Sequence, residues 1–160
     1  ACIIKFFTFD KMKQETFDSA LRSTWQLVSR MYNKEASKFN STMATGFALL
    51  SIDPDGTPST TLGPKMGMES TSLSRLLSTM EERKLIYRTQ NPNDGRSILI
   101  HLTSFGKEKR DDSKAVVLHF NKKIEDSLST EKINIFFEVM NCIKENSQNF
   151  EHFTTELKTI

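Results

Sequence analysis

Hydroxyl-bearing and cationic side chains are concentrated in one segment near the middle of the chain. Within residues 70–78, five positions are Ser or Thr and one is Arg. Such groups donate hydrogen bonds to phosphates and to base edges, whereas a carboxylate-rich surface would be repelled by a nucleic acid. Cations before and after the segment extend this set. The candidate nucleic-acid contacts are Lys65, Ser70, Thr71, Ser72, Ser74, Arg75, Ser78, Arg88 and Arg96.

This segment is predicted to be a helix from Ser70 to about Lys84. Leu73, Leu77 and Met80 recur at steps of three and four residues, so they share one apolar face, and the hydroxyl groups lie on the other. Every amphipathic helix has a polar face, and alone such a face is more often plain solvated surface. Its meaning therefore depends on the elements around it.

Two helices are predicted immediately before the segment. The first has Ser41 or Thr42 as its N-cap and ends at the turn formed by residues 53–58. The second is short, begins near residue 59 or 60 and ends at Gly67. Its Pro64 is expected in the first turn, where the missing backbone N–H has no intrahelical partner.

A β-hairpin is predicted immediately after the segment, with strands at residues 85–90 and 96–103. The five residues between them, Asn-Pro-Asn-Asp-Gly, are a strong turn signal. Arg96 is expected to project from the hairpin tip, where a flexible cation suits the negative potential of a narrow minor groove. Asp94 has the wrong charge to contact DNA, and we expect it to stabilise the hairpin by pairing with Arg96 or a neighbouring Arg.

Long helices are predicted at both ends of the chain. One covers residues 15–39, and two more follow from Phe105, the last of them running for more than 20 residues. That last helix carries Phe136, Phe137, Met140, Phe150 and Phe153, an apolar face larger than soluble monomers usually expose. Burial against a second chain is one interpretation, and packing on the first helix of the same chain is the other.

The order of the elements is typical of a winged helix-turn-helix, in which the third helix enters the major groove and the hairpin forms a wing. The predicted fold class is therefore mainly α with a small β-hairpin wing and additional helices at both ends. Residues 57–110 carry 9 Lys or Arg and 5 Asp or Glu, although the whole chain has a net charge of only +2. The local positive charge agrees with a nucleic-acid partner.

Several other classes of protein are not favoured. A length of 160 residues allows one domain, and no run approaches the ~18 apolar residues of a membrane span. Cys2 and Cys142 match neither a zinc site nor a disulfide framework, so we expect no metal or cofactor and a reducing, cytoplasmic compartment. No hydrolase, P-loop or metalloprotease motif indicates an enzyme. Residues 1–11 are expected to be a leader or an expression-derived segment.

Short motifs along the chain resemble those of a known family. They are Leu62-Gly63-Pro64-Lys65-Met66-Gly67-Met68, Thr71-Ser72-Leu73-Ser74-Arg75, Lys84-Leu85-Ile86-Tyr87-Arg88, Asp94-Gly95-Arg96-Ser97 and Leu102-Thr103-Ser104-Phe105-Gly106. Over roughly residues 15–155 the chain resembles the MarR family of bacterial transcriptional regulators. The resemblance implies that Thr71, Ser72, Ser74 and Arg75 lie on a recognition helix, and that Asp94 and Arg96 form the Asp-x-Arg pattern of the wing.

The resemblance also implies how the chain is organised. The N-terminal helix (12–40) and the C-terminal helices (105–160) would form a homodimer, and residues 41–104 would form the DNA-binding lobe. Two recognition helices would then contact successive major grooves of a pseudo-palindromic operator in double-stranded DNA, usually with repression as the result. The alternative is a winged-helix module that binds another protein and not DNA.

Regulation by a small molecule is a further implication of the resemblance. Family members commonly respond to a lipophilic or phenolic effector held between the dimer helices and the lobe. The candidate pocket residues are Arg22, Trp25, Tyr32, Met43 and Phe47, among which the Arg could neutralise an anionic ligand. Residues of these types are more often ordinary core, which is the alternative interpretation. Thiol sensing is not favoured, because Cys142 is expected to be buried and inert on the last helix.

Overall fold

The structure is a computed structural model that describes residues 15–92 and 94–150, and the predicted leader lies outside these ranges. The chain divides into two compact units, with the division between Val116 and Val117. The helices and strands are α1 Phe17–Ser37, α2 Met43–Ser51, β1 Thr57–Pro58, α3 Ser59–Met66, α4 Ser70–Glu82, β2 Ile86–Asn91, β3 Asp94–Leu102, α5 Ser104–Glu125 and α6 Thr130–Gln148.

Local capping explains where α2 begins. The Thr42 hydroxyl accepts a hydrogen bond from the Thr45 backbone N–H at 3.2 Å, which satisfies one of the unpaired donors at a helix start. The Met43 backbone N–H donates to the Asn33 side-chain oxygen at 3.0 Å, and this bond connects α2 to α1. The predicted N-cap of α2 is confirmed, and the predicted helix at 15–39 is confirmed as α1 with its ends within two residues.

The short helix α3 confirms one prediction and corrects another. It ends at Gly67, whose φ of 62° is the left-handed conformation that glycine adopts at low cost, and the Met68 N–H donates to the Gly63 carbonyl at 2.9 Å. Pro64, however, lies sixth of the eight residues and not in the first turn. A helix this short has few intrahelical bonds, so its proline removes only the one that its own N–H would donate.

The sheet has three strands in the order β1-β3-β2, all antiparallel. The predicted hairpin is confirmed, but β1 lies in the segment that the sequence indicated as a turn. Two residues are too short for an alternation pattern, and β1 exists because Thr57 and Pro58 pair with Ile100 and Leu99 of β3. The turn between β2 and β3 is tighter than predicted, since β2 extends to Asn91 and β3 begins at Asp94.

A single apolar core fills the space between the sheet and α2, α3 and α4. The α4 residues that form the predicted apolar stripe lie in it, and so do residues from both long strands. At ~25 cal/mol per Å² of buried apolar area, this cluster is the main source of stability for the first unit. Its members are Ala48, Leu49, Ile52, Leu62, Leu73, Leu77, Met80, Leu85, Ile86, Ile100 and Leu102.

In the second unit, residues 117–150 include none that is buried. The helix α6 has 19 residues and ends at Gln148, so the predicted helix of more than 20 residues is wrong and Phe150 lies beyond its end. Phe153 falls outside the described residues.

Cys142 is exposed in the single chain, which corrects the expected buried thiol. Within the described ranges, no helix is both long and apolar enough to cross a membrane.

Candidate nucleic-acid interface

The outer face of α4 presents the predicted hydroxyl groups together. All six candidates on this helix are exposed, and Leu73, Leu77 and Met80 on the opposite face are buried. The buried face fixes the rotation of α4 about its axis, so the polar face is held in one orientation by the core. The six exposed candidates are Ser70, Thr71, Ser72, Ser74, Arg75 and Ser78.

Arg75 has a distinctive environment on this face. Within the described part of the chain its guanidinium forms no ion pair, and its backbone carbonyl accepts a hydrogen bond from the Thr79 hydroxyl at 3.1 Å. The side chain is exposed, so its five N–H donors point into solvent. A guanidinium in this state can make bidentate hydrogen bonds to a phosphate or to a guanine edge without first breaking an internal bond.

The C-terminal end of α4 has the opposite charge. Glu82 lies one helical turn after Ser78 and is exposed on the same side of the helix. A carboxylate there would be repelled by DNA phosphates. The polar face is therefore suited to a nucleic acid along its first two turns, around Arg75, and not at its end.

Two of the predicted cationic contacts are engaged inside the first unit. The Lys65 ammonium donates to the Ser51 carbonyl at 2.7 Å and approaches both carboxylate oxygens of Asp53 at 3.4 Å. The Arg88 Nε lies 3.0 Å from the Glu81 carboxylate. Neither acidic partner was singled out for this role from the sequence, because both ion pairs join residues on different elements and spacing along the chain carries no signal for them.

The wing is stabilised near its tip by side-chain hydrogen bonds. The Asn91 amide donates to the Ser97 hydroxyl at 2.8 Å, and that hydroxyl lies 3.3 Å from the Asp94 backbone carbonyl. The Gln90 amide donates to the Gly95 carbonyl at 3.3 Å. The backbone of Arg96 lies on β3, and its side chain falls outside the described atoms. Pairing of Asp94 with an arginine therefore stays a prediction.

Three of the five predicted pocket residues meet between α1 and α2. The rings of Trp25 and Phe47 stack with centroids 6.3 Å apart, and Tyr32 contacts Phe47 edge-on at 6.1 Å. Burial raises the pKa of the Tyr32 phenol above its ordinary value. Met43 lies at the start of α2 on the same element as Phe47, whereas Arg22 is exposed and pairs with Asp18 at 3.2 Å.

Thr103 is a structural residue that the sequence placed only within a motif. Its hydroxyl donates to the Lys84 carbonyl at 2.6 Å and accepts from the Gly106 N–H at 2.9 Å, while its own N–H donates to the Leu85 carbonyl at 3.1 Å. These bonds join the turn after α4 to the start of α5. A hydroxyl at the residue before a helix is an N-cap signal, which is the feature that could have identified it.

Three helices, α2, α3 and α4, packed on one apolar core and followed by the β2–β3 hairpin are the arrangement of a winged-helix protein. Comparison with known proteins agrees: the sequence model of the MarR family matches residues 48–98. In Bacillus subtilis, a helix-turn-helix-type transcriptional regulator, YdgJ, is 28% identical over 90 residues, or 56% of this chain and 55% of the relative. The match thus spans little more than half of that relative. An organic hydroperoxide resistance transcriptional regulator of the same organism is 29% identical over 80% of this chain and 90% of its own.

Solved structures give the same fold. The Staphylococcus aureus MepR–DNA complex has a TM-score of 0.76 at 19% identity, with 83% of this chain and 99% of that chain covered. CouR of Rhodococcus jostii bound to p-coumaroyl-CoA has a TM-score of 0.72 at 23% identity, with 81% and 92% covered. Residues 48–98 thus match the MarR family model, and the chain is similar in sequence to two transcriptional regulators and in fold to MepR and CouR.

Proposed function

We propose that this chain is a transcriptional regulator that binds double-stranded DNA through α4 and the wing. The observation that carries the proposal is the outer face of α4, where exposed hydroxyl groups surround Arg75, a guanidinium without an ion pair in the described residues. Phosphate contacts by the hydroxyl groups would set the position of α4, and Arg75 would supply charge and base recognition. Arg96 on the wing would enter the adjacent minor groove. The S. aureus MepR structure bound to DNA supports this reading, because it shares the fold.

We further propose that the functional unit is a homodimer. Phe136 and Phe137 on α6 are 54% and 59% exposed in the single chain, and Phe17 and Leu27 on α1 are 72% and 63% exposed. Apolar side chains at this density on two helices favour burial against a second copy of the chain. A two-fold dimer would present two copies of α4 to a pseudo-palindromic operator, and bound operator would block transcription, so repression is the proposed outcome.

The proposed effector is a small lipophilic or phenolic molecule that binds beside the Trp25, Tyr32 and Phe47 rings. Trp25 is 51% exposed although it stacks on Phe47, so part of its apolar surface is open to a ligand. CouR, which shares the fold, is bound to p-coumaroyl-CoA. In one dimer geometry the two copies of α4 would be unable to reach adjacent major grooves. An effector that binds this geometry more tightly than the DNA-binding geometry would release the operator.

Selection from random duplexes tests the central proposal. The full chain is mixed with a random double-stranded library, bound fragments are recovered over several rounds, and their sequences are compared. We expect enrichment of an inverted repeat, and the half-site spacing reports the distance between the two recognition helices. Recovery of unrelated sequences at the level of the input library would contradict sequence-specific binding by a dimer.

Substitution of Arg75 separates the DNA-binding regulator from a protein-binding winged-helix module. Arg75→Ala is expected to weaken binding to the selected duplex by ~5- to 150-fold, which corresponds to one lost arginine contact. Lys38→Ala removes the same charge from the end of α1, where it is paired with Glu35, and serves as the control for the change in net charge. Equal affinities of the two variants would favour the protein-binding module. Loss of affinity in Arg96→Ala would extend the interface to the wing.

A further inference from the structure

The ion pair between Glu81 and Arg88 joins the end of α4 to the strand β2. The Arg88 Nε and the Glu81 Oε2 are 3.0 Å apart, and the two side chains are 35% and 44% exposed. Glu81 is exposed, and it directly follows Met80, which is fully buried. The pair therefore connects the end of α4 to β2 at the protein surface.

The strand geometry explains why Arg88 reaches α4. Side chains two residues apart share a face of a strand, and Ile86, two residues earlier, is buried in the core. The Cα partner of Arg88 across the sheet is Ile100, which is also buried. Arg88 thus leaves β2 on the face that packs against the helices. It extends along this face to the last turn of α4.

Arg88 and Arg75 differ in whether a carboxylate neutralises their positive charge. The positive charge of Arg88 is already matched by a carboxylate at contact distance, whereas the Arg75 guanidinium has no such partner in the described residues. A phosphate would have to compete with Glu81 for Arg88, and Glu81 would repel that phosphate. Both effects oppose a direct contact between Arg88 and DNA.

We propose that Arg88 and Glu81 are positioning residues for DNA binding. Their ion pair fixes the end of α4 relative to β2, and so sets the distance between the base-reading helix and the wing that must enter neighbouring grooves. Arg88 acts through Glu81 and not on the nucleic acid. The inference rests on the proposed function, because it concerns how α4 and the wing are aligned on a duplex.

The sign of one substitution distinguishes positioning from contact. If Arg88 contacts phosphate, Glu81→Gln removes a competing carboxylate and strengthens duplex binding. If Arg88 is a positioning residue, Glu81→Gln breaks the ion pair and weakens binding. Glu82→Gln is the matched control: it removes the same charge from the next residue, whose carboxylate has no ion pair within the described ranges. Both variants are compared as full chains on the duplex recovered by selection.

We expect Glu81→Gln to bind ~2- to 5-fold more weakly than Glu82→Gln, the range that an exposed ion pair supports. Thermal unfolding of the two variants should differ by no more than the ~1 kcal/mol that an exposed ion pair contributes, and both variants should be fully folded at the temperature of the binding assay, so unfolding cannot account for the weaker binding. The charge-swapped Glu81→Arg/Arg88→Glu double variant should recover affinity relative to Arg88→Glu alone. Arg88→Gln should keep the wild-type slope of log affinity against log salt, because no phosphate contact is lost.

Two results would overturn the inference. Glu81→Gln binding as tightly as Glu82→Gln, or more tightly, would show that the pair does not align α4 for DNA. A salt slope reduced by about one in Arg88→Gln would show that Arg88 contacts a phosphate. In either case the wild-type chain would still bind its duplex, and the proposed function would stand. Absence of duplex binding by the wild-type chain would instead remove the proposed function together with this inference.

Discussion

The winged-helix lobe and the helix α6 place their large apolar side chains in opposite environments. In the lobe, Leu62, Met80 and Ile100 are fully buried, and the helices and strands around them share one core. On α6, no residue is buried and Phe136 and Phe137 are more than half exposed. The lobe can therefore hold its shape as a single chain, whereas the exposed apolar surface of α6 is the surface that the proposed homodimer would bury.

A core substitution in the lobe should have the largest effect on stability. Leu62→Ala removes a fully buried side chain, and we expect the free energy of unfolding to fall by ~2–5 kcal/mol in urea titrations. The loss should be the same at low and high protein concentration, because it arises inside one chain. A loss that appears only on dilution would mean that Leu62 acts through the dimer.

A charge on α6 should act on association and not on the lobe. Phe137→Glu is expected to weaken the dimer by about 2 kcal/mol or more, as for a central interface residue. Light scattering should then give 18.3 kDa in place of twice that mass. Asn146→Glu places the same charge on the opposite side of α6 and should leave the mass unchanged. An unaltered dimer in Phe137→Glu would place the interface elsewhere.

A close approach of backbones makes Gly106 the next most sensitive position. A Cβ at Gly106 would overlap the Leu85 carbonyl group, so Gly106→Ala should lower the unfolding free energy by ~1–3 kcal/mol. Gly46 lies in the helix α2, where the nearest neighbour of a Cβ is the Ser113 hydroxyl at 3.5 Å. Gly46→Ala should therefore be neutral or stabilising by up to about 1 kcal/mol. Equal changes in melting temperature for the two variants would contradict the close approach of the Gly106 and Leu85 backbones.

The smallest expected effect concerns the Thr103 hydroxyl. Thr103→Val removes its bonds to the Lys84 carbonyl and from the Gly106 N–H, and should lower the unfolding free energy by ~1–2 kcal/mol. Thr103→Ser keeps the hydroxyl and should lose much less. Thermal unfolding monitored by circular dichroism distinguishes the two variants. If Thr103→Ser lowers the unfolding free energy as much as Thr103→Val does, the methyl group of Thr103 is important for stability and its hydroxyl bonds are not.

Local patterns were sufficient for most of the helices and for the hairpin. The stripe of Leu73, Leu77 and Met80 predicted both the extent of α4 and the face it exposes, since helical periodicity is a property of neighbouring residues. The Gly67 stop was also visible, because left-handed backbone at a helix end favours glycine. The six exposed candidates on α4 followed from this periodicity.

Features that depend on distant residues were not accessible from the sequence. The strand β1 exists only through pairing with β3, more than 40 residues later in the chain. The partners of Lys65 and Arg88 lie on other elements, so two paired cations were grouped with Arg75 as candidate contacts. The end of α6 does not follow from the sequence pattern either, because aromatic residues continue past Gln148 although the helix does not.

The salt dependence of binding to a whole and a halved operator tests the central claim most directly. The slope of log affinity against log salt counts released counterions, so it counts the phosphates that are contacted. If two copies of α4 bind one duplex, removal of one half-site from the selected sequence should reduce this slope to about half of its original value and weaken binding steeply. Equal slopes and equal affinities on the whole and halved duplexes would contradict recognition by a two-fold dimer.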